Sequence, residues 1–278
     1  MNECDTDRMT AGAPDHGGGR GILRRRTARE RFHVDRRAPA ADLAGLANYL
    51  WILTWDLRGH EPHRQRVLTH PAVNLTFTTG GRARVVGVVR GEFTETIEGR
   101  GRVVGVRFRP GGFRPFLGGP VSGITDRFVP VEEIFGPAAR ATADAIIAEP
   151  GADEAVALVE DLLRSRAPDR PDPLVAEVAA IVERVAADPG LLRVDELAAS
   201  SEIGVRRLQR LFAEYVGVSP KWVIRRCRIQ EAADRADGGA DVDWAALSAE
   251  LGYADQAHFT RDFSAAIGVP PARYARDT

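Results

Sequence analysis

Two stretches near the C-terminus repeat each other at a constant offset of 51 residues: GVRRLQRLFAEYVGVSP from Gly204 to Pro220 and DQAHFTRDFSAAIGVPP from Asp255 to Pro271. Leu208 matches Phe259, Arg210 matches Arg261, Phe212 matches Phe263, and Gly217, Val218 and Pro220 match Gly268, Val269 and Pro271. Leu208 and Phe212, like Phe259 and Phe263, stand four apart on one helical face, while the Arg between them points away. Each unit is therefore a helix that buries one side and offers an Arg on the other.

Upstream of each lies a second short amphipathic segment, VDELAAS from Val194 to Ser200 and DWAALSAELG ending at Gly252, with Asp195 and Asp243 as expected N-caps. Two short helices joined by a tight turn, the second with a polar and basic outer face, describe a helix-turn-helix. Gly217 and Gly268 fall where each second helix stops, because Gly readily takes the left-handed conformation there. Between the units, SPKWVIRRCRIQEAADRAD (Ser219 to Asp237) opens with Ser as N-cap and Pro in the first turn, so it predicts a long connecting helix. Seventeen or so residues at ~1.5 Å each give roughly 25 Å of rod. With its flanking turns that length sets two reading helices about one DNA turn, ~34 Å, apart.

On these residues the segment 173–278 resembles the DNA-binding domain of the AraC/XylS family of bacterial transcription regulators. ALSAELGYADQAHFTRDFSAAIGVPPARY, from Ala246 to Tyr274, is similar to the family's second helix-turn-helix, with Gly252, Tyr253, Phe259, Arg261, Phe263, Gly268 and Pro271 all matching. The resemblance implies a sequence-specific binder of double-stranded DNA with both reading helices in the major groove. It places Arg206, Gln209 and Arg210 of the first unit, and Gln256, Ala257, Thr260 and Arg261 of the second, at base-facing positions. Arg pairs bidentately with guanine and Gln with adenine, at about 1–3 kcal/mol of discrimination per good pair. The first unit departs from the family pattern, with Glu202 where the turn usually has Gly and Gly204 where the reading helix usually has a Ser cap. In the second, Ala257 replaces a common Ser and offers only an apolar contact.

Charge supports this locally rather than on average. Residues 173–278 hold 13 Lys+Arg and 16 Asp+Glu, a net of −3, yet residues 201–230 carry a net of +5. That patch (Arg206, Arg207, Arg210, Lys221, Arg225, Arg226, Arg228) suits phosphate neutralisation; solvated charge on helix faces is the alternative. At 278 residues the chain has room for roughly two domains. Its two Cys, Cys4 and Cys227, suggest no structural disulfide and a reducing cytoplasm. No apolar run approaches the ~20 residues of a membrane span.

Residues 1–30 are Gly-, Arg- and polar-rich and read as a disordered tail, in which Arg24, Arg25 and Arg26 are either phosphate contacts or part of an unstructured leader. From Phe32 to Phe135 the texture is β, with AVNLTFTT, RARVVGVVRGEFTETIEG and GRVVGVRFRPGG alternating apolar and polar residues between Gly pairs. ADLAGLANYLWILTWDL (Ala41 to Leu57) reads as helical at first and as a strand around Trp51 to Leu57. Short strands with turn signals suggest a small antiparallel barrel or sandwich. PAARATADAIIAE (Pro137 to Glu149) and DEAVALVEDLLRSR (Asp153 to Arg166) then read as helices, and APDRPDP (Ala167 to Pro173) as a linker. The N-terminal half resembles the cupin-like sensor domains of many AraC-type regulators, which implies a small-molecule effector and dimerisation through the helices. The stripe Val156, Val159 and Leu163 either meets a partner or packs on the β-domain.

Trp51, Trp55, Phe77, Phe93 and Phe108 are the candidate ligand-pocket residues, with plain core as the alternative. His60, His63 and His70 do not have the spacing of a cupin metal site and read as exposed loop residues. No cofactor, metal site, nucleophilic Cys framework or hydrolase triad is indicated, so the expectation is not an enzyme. The expected organisation is α+β: a tail over 1–30, a β-barrel or sandwich (cupin-like) effector domain over 31–135, a helical dimerisation segment and linker over 136–172, and an all-α domain with two helix-turn-helix units over 173–278. The expected function is a cytoplasmic, homodimeric transcription regulator, with RNA polymerase as a further partner if it activates. The alternative is a cupin-like ligand-binding or catalytic protein whose helical tail no longer binds DNA specifically.

Overall fold

The computed structural model describes residues 30–238 and 242–276, with Leu23 and Ala28. Among the described residues seven strands come first, β1 (His33–Arg37), β2 (Ala47–Asp56), β3 (His63–Val67), β4 (Asn74–Thr78), β5 (Arg82–Val86), β6 (Phe93–Ile97) and β7 (Arg100–Phe108), and β8 (Phe128–Pro130) follows two short helical turns. Six form one antiparallel sheet in the order β1-β2-β7-β4-β5-β8, and β3 pairs with β6 as a separate ribbon. The described strands thus make two sheets and no closed barrel; of the two expected forms the sandwich fits, within an α+β fold.

Strand alternation sorts the large sheet's two faces. Leu50, Ile52, Leu75, Phe77, Val85, Val104, Val106 and Phe108 point to one side, where they form a core with α3 (Ala139–Ala148) and α4 (Ala152–Arg164). Two short helices, α1 (Arg114–Leu117) and α2 (Val131–Phe135), close that core with Phe116 and Phe135. Val159 and Leu163 are fully buried in it and Val156 packs against it, so the stripe is used within the chain.

Residues 41–46 form turns, and β2 begins at Ala47 instead of near Trp51. His63 opens β3 and is half-buried, so it is not an exposed loop residue. The polar segments HVDRR and HRQRV are strands although they lack apolar alternation, because their neighbours supply the ladder. The expected tail lies mostly outside the described residues, Cys4 and Arg24 to Arg26 included. Leu23 and Ala28 are buried, Leu23 beside Leu68 and Ala28 beside Phe32, Leu57 and Ile97, so those two positions depart from an unpacked tail.

The remainder is helical. α5 (Pro173–Ala187), capped by Asp172, leads to α6 (Val194–Ser200) and α7 (Val205–Leu211), whose last turn, Phe212–Val216, widens to a π-helix. α8 (Pro220–Asp237) is the connecting helix, begun by Ser219, which accepts from the Trp222 N–H at 3.2 Å. Then come α9 (Trp244–Glu250), α10 (Gln256–Ile267) and α11 (Pro271–Arg276). Gly217 (φ 90°) and Gly268 (φ 84°) end the two second helices in the left-handed conformation, as their spacing predicts. Asp243 caps α9, accepting from Ala245 and Ala246 N–H at 3.0 Å. Asp195 does not cap α6. The helix starts at Val194, Glu196 reaches back to the Arg193 N–H at 3.1 Å, and Asp195 pairs with Arg193 in the first turn.

Candidate nucleic-acid interface and its linked cavity

Each unit buries the apolar face of its second helix and leaves the other face in solvent. Leu208 and Phe212, and Phe259 and Phe263, are fully buried. Arg206, Arg207, Gln209 and Arg210 are exposed on α7, where Arg206, Gln209 and Arg210 share one shallow groove with Ala213. On α10, Gln256, Ala257 and Arg261 are exposed and Thr260 is half-buried. The reading-helix positions expected to face bases therefore lie on open faces of both units. Between the units is a cleft of about 550 Å³ lined by Gln209, Lys221, Arg225, Tyr253 and His258, among others.

The basic patch is smaller than the sequence suggests. Arg225 forms an ion pair with Asp262 of α10 and thereby ties the connecting helix to the second reading helix. Arg226 is 4% exposed; its guanidinium lies over the Trp222 ring and donates to the Arg90 carbonyl at 2.6 Å. Burial pushes the pKa of Arg226 down to about 10. Arg228 donates to the Leu192 carbonyl, and its pKa is also lowered, again by burial. Arg207 reaches Glu177 at 3.4 Å. These partners hold the units together, which leaves Arg206, Arg210, Lys221 and Arg261 as exposed cations outside any ion pair among the described residues, with Arg207 still exposed beside Glu177.

The second face of the large sheet is unlike the first. Trp51, Trp55, Thr76, Arg84 and Arg107 project from it toward the β3–β6 ribbon, leaving a cavity of about 550 Å³. Trp51 lies flat on Gly105 and Trp55 on Gly101; a Cβ on either glycine would stand 2.3 Å from the indole. Only glycine admits the rings there. Trp51, Trp55 and Phe93 line the cavity as expected. Phe77 and Phe108 do not, because they share strand parity with Leu75 and Val106 and are buried in the helix-covered core. Arg36, Arg84, Arg107 and Tyr49 also line it and went unread in the sequence. The signal was present, since Arg107 has the parity of Gly105 and Gly101, opposite to the apolar Val104, Val106 and Phe108.

The cavity's rim is joined to both helix-turn-helix units. Residues 67–70 and 86–89 line it, apart from Val88. Leu68 (0% exposed) enters the core of the second unit beside Phe259 and Phe263, and Val88 (1% exposed) enters that of the first beside Leu208 and Phe212. Thr69 Oγ1 donates to the Val89 carbonyl at 2.6 Å and links the two segments. Each apolar insertion is worth ~1.5–3 kcal/mol by burial. Polar contacts add to the first unit: Arg114 reaches Glu214 at 2.6 Å, Thr125 Oγ1 donates to the Gly217 carbonyl at 2.6 Å, and Arg109 reaches Glu183 at 2.7 Å.

Paired helix-turn-helix units on one connecting rod, with open polar reading faces, define a DNA-binding transcription regulator. Residues 197–277 match the family described as a helix-turn-helix domain, and this part of the chain is an AraC-type DNA-binding domain. Residues 35–130 match a domain of unknown function, DUF6597. Among solved structures, the chain is similar to ToxT from Vibrio cholerae O395 (12% identity, 89% of this chain and 98% of that one, TM-score 0.40). It is also similar to the C-terminal domain of AraT, a response regulator from Geobacillus stearothermophilus (20% identity, 40% of this chain and 89% of that one, TM-score 0.34). No curated protein matches by sequence. Among the described residues, no helix is long and apolar enough to cross a membrane.

Proposed function

We propose that the protein is a non-enzymatic, one-component regulator in the cytoplasm, in which a small molecule in the β-sheet cavity adjusts the two DNA-reading units. The working division is an effector domain over 31–135, a helical segment over 136–172 and a DNA-binding domain over 173–278. Arg206, Gln209 and Arg210, with Gln256, Ala257, Thr260 and Arg261, read bases; Arg207 and Lys221 contact phosphates. Arg225 acts through Asp262 to fix the second reading helix and is withdrawn from phosphate contact. Homodimerisation belongs to the same reading and needs a surface other than the Val156 stripe. RNA polymerase is a partner only if the protein activates.

The observation that carries the proposal is the shared rim. Residues beside Leu68 and Val88 line the cavity, while these two side chains sit in the cores of the second and first units. A ligand that moves either segment must therefore move or strain a reading unit, which is the differential contact a ligand needs to shift an equilibrium. Selection of bound sequences from random double-stranded DNA tests the DNA half of the reading. The expected result is an enriched motif with two elements about one helical turn, ~10 bp, apart. No enrichment at low or moderate salt, with or without cell extract as effector source, would return the protein to the ligand-binding alternative.

A further inference from the structure

The cavity's composition narrows what it takes, resting on its reading as the effector site. Five arginines line it against two glutamates. Two of the five gather at one aromatic ring: Arg36 stands 4.8 Å over Tyr49, and Arg107 stands 5.6 Å from the same ring with Nη1 donating to the phenol oxygen at 3.2 Å. Arg107 makes no ion pair among the described residues, and its Nε is buried with no acceptor. Arg84 is paired with Glu95, yet its Nε is likewise buried without an acceptor. Both guanidinium groups thus stand on one cavity wall, and of the two only Arg107 lacks a carboxylate partner among the described residues, which marks its outer nitrogens as the place for acceptor oxygens.

The apolar part of the wall is equally specific. Trp51 is held flat by Gly105, its cross-strand partner, and Arg107 lies two residues along the same strand, roughly 7 Å away. A flat apolar surface thus adjoins a guanidinium lacking a carboxylate partner. We propose that the cavity binds an amphipathic organic carboxylate, with its planar apolar body against Trp51 and its carboxylate received by Arg107. The guanidinium's planar fork suits a carboxylate, and the ligand would supply acceptors that the chain does not.

The test uses full-length protein and three probes of one shape: 2-naphthoate, the neutral 2-naphthalenemethanol and the cationic 2-naphthylmethylammonium, titrated by calorimetry. The expected result is naphthoate binding at least about tenfold tighter than the alcohol, the worth of one charge-assisted hydrogen bond, with the cation weakest. Arg107→Met should erase the preference for naphthoate while leaving the alcohol's affinity nearly unchanged, a pattern that general loss of structure does not give. Gly105→Val, which drives Trp51 off the sheet, should weaken all three probes together. Should that variant or Arg107→Met fail to fold, the comparison on the unaltered protein decides alone. Equal or better binding of the alcohol or the cation overturns the carboxylate assignment and leaves the effector cavity standing. Binding of none of the three overturns both.

Discussion

The two helix-turn-helix units carry the same repeated sequence pattern but are stabilised in different ways. The second is capped by its own side chains, Asp243 on α9 and Asp255 on α10, and takes its turn through Gly252 at φ 71°. Its core is aromatic, with Phe263 against Trp244, Phe259 and Tyr274 at centroid distances of 5.6–5.9 Å. The first begins its reading helix at Gly204 with no side-chain cap, turns through Glu202 at φ 54°, and has a mainly aliphatic core in which Phe212 and Tyr215 are the buried rings. It ends in a π-turn held by Arg114 and Thr125 of the preceding region. One unit largely supports itself; the other is propped from outside. The propped unit is then the one whose position the cavity most readily changes, since its local stability depends on those contacts.

The largest expected effect tests the self-supporting unit. Phe263→Ala removes a fully buried ring, and denaturant unfolding should show a loss of ~3–5 kcal/mol. Next comes the prop itself. Thr125→Val leaves the Gly217 carbonyl without its donor, a cost of ~1–3 kcal/mol. Hydrogen exchange should speed up in residues 205–217 and stay unchanged in 256–268; equal acceleration in both would break the contrast. The smallest effects go the other way. Glu202→Gly should stabilise by ~1 kcal/mol by relieving a left-handed backbone, and Gly204→Ser should add a few tenths through a proper cap. A destabilising Glu202→Gly would mean that Glu202 makes contacts outweighing its strain.

Much of the C-terminal half was legible because a helix declares itself in local spacing: Leu208 with Phe212, Phe259 with Phe263, and Ser219 before Pro220. The helical reading failed where partners are distant. Nothing near Arg226 announces that it will be buried against the Arg90 carbonyl, so the +5 of the sequence overstates the charge that reaches the surface. β1 and β3 were missed because strands with little apolar alternation give no periodic signal, and their pairing partners lie elsewhere in the chain. The cavity was half legible. Trp51, Trp55 and Phe93 line it, but sorting them from Phe77 and Phe108 requires the strand parity that the ladder fixes.

Both reading helices should recognise DNA sequence, and their two matched arginines offer the sharpest test. Fluorescence anisotropy would compare the protein with Arg210→Ala and Arg261→Ala on its best-bound fragment and on random DNA, at two salt concentrations. The expected result is preferential binding that persists at higher salt, with each substitution costing ~1–3 kcal/mol on the specific fragment and much less on random DNA. Equal losses on both DNAs, or no preference at either salt, would contradict it.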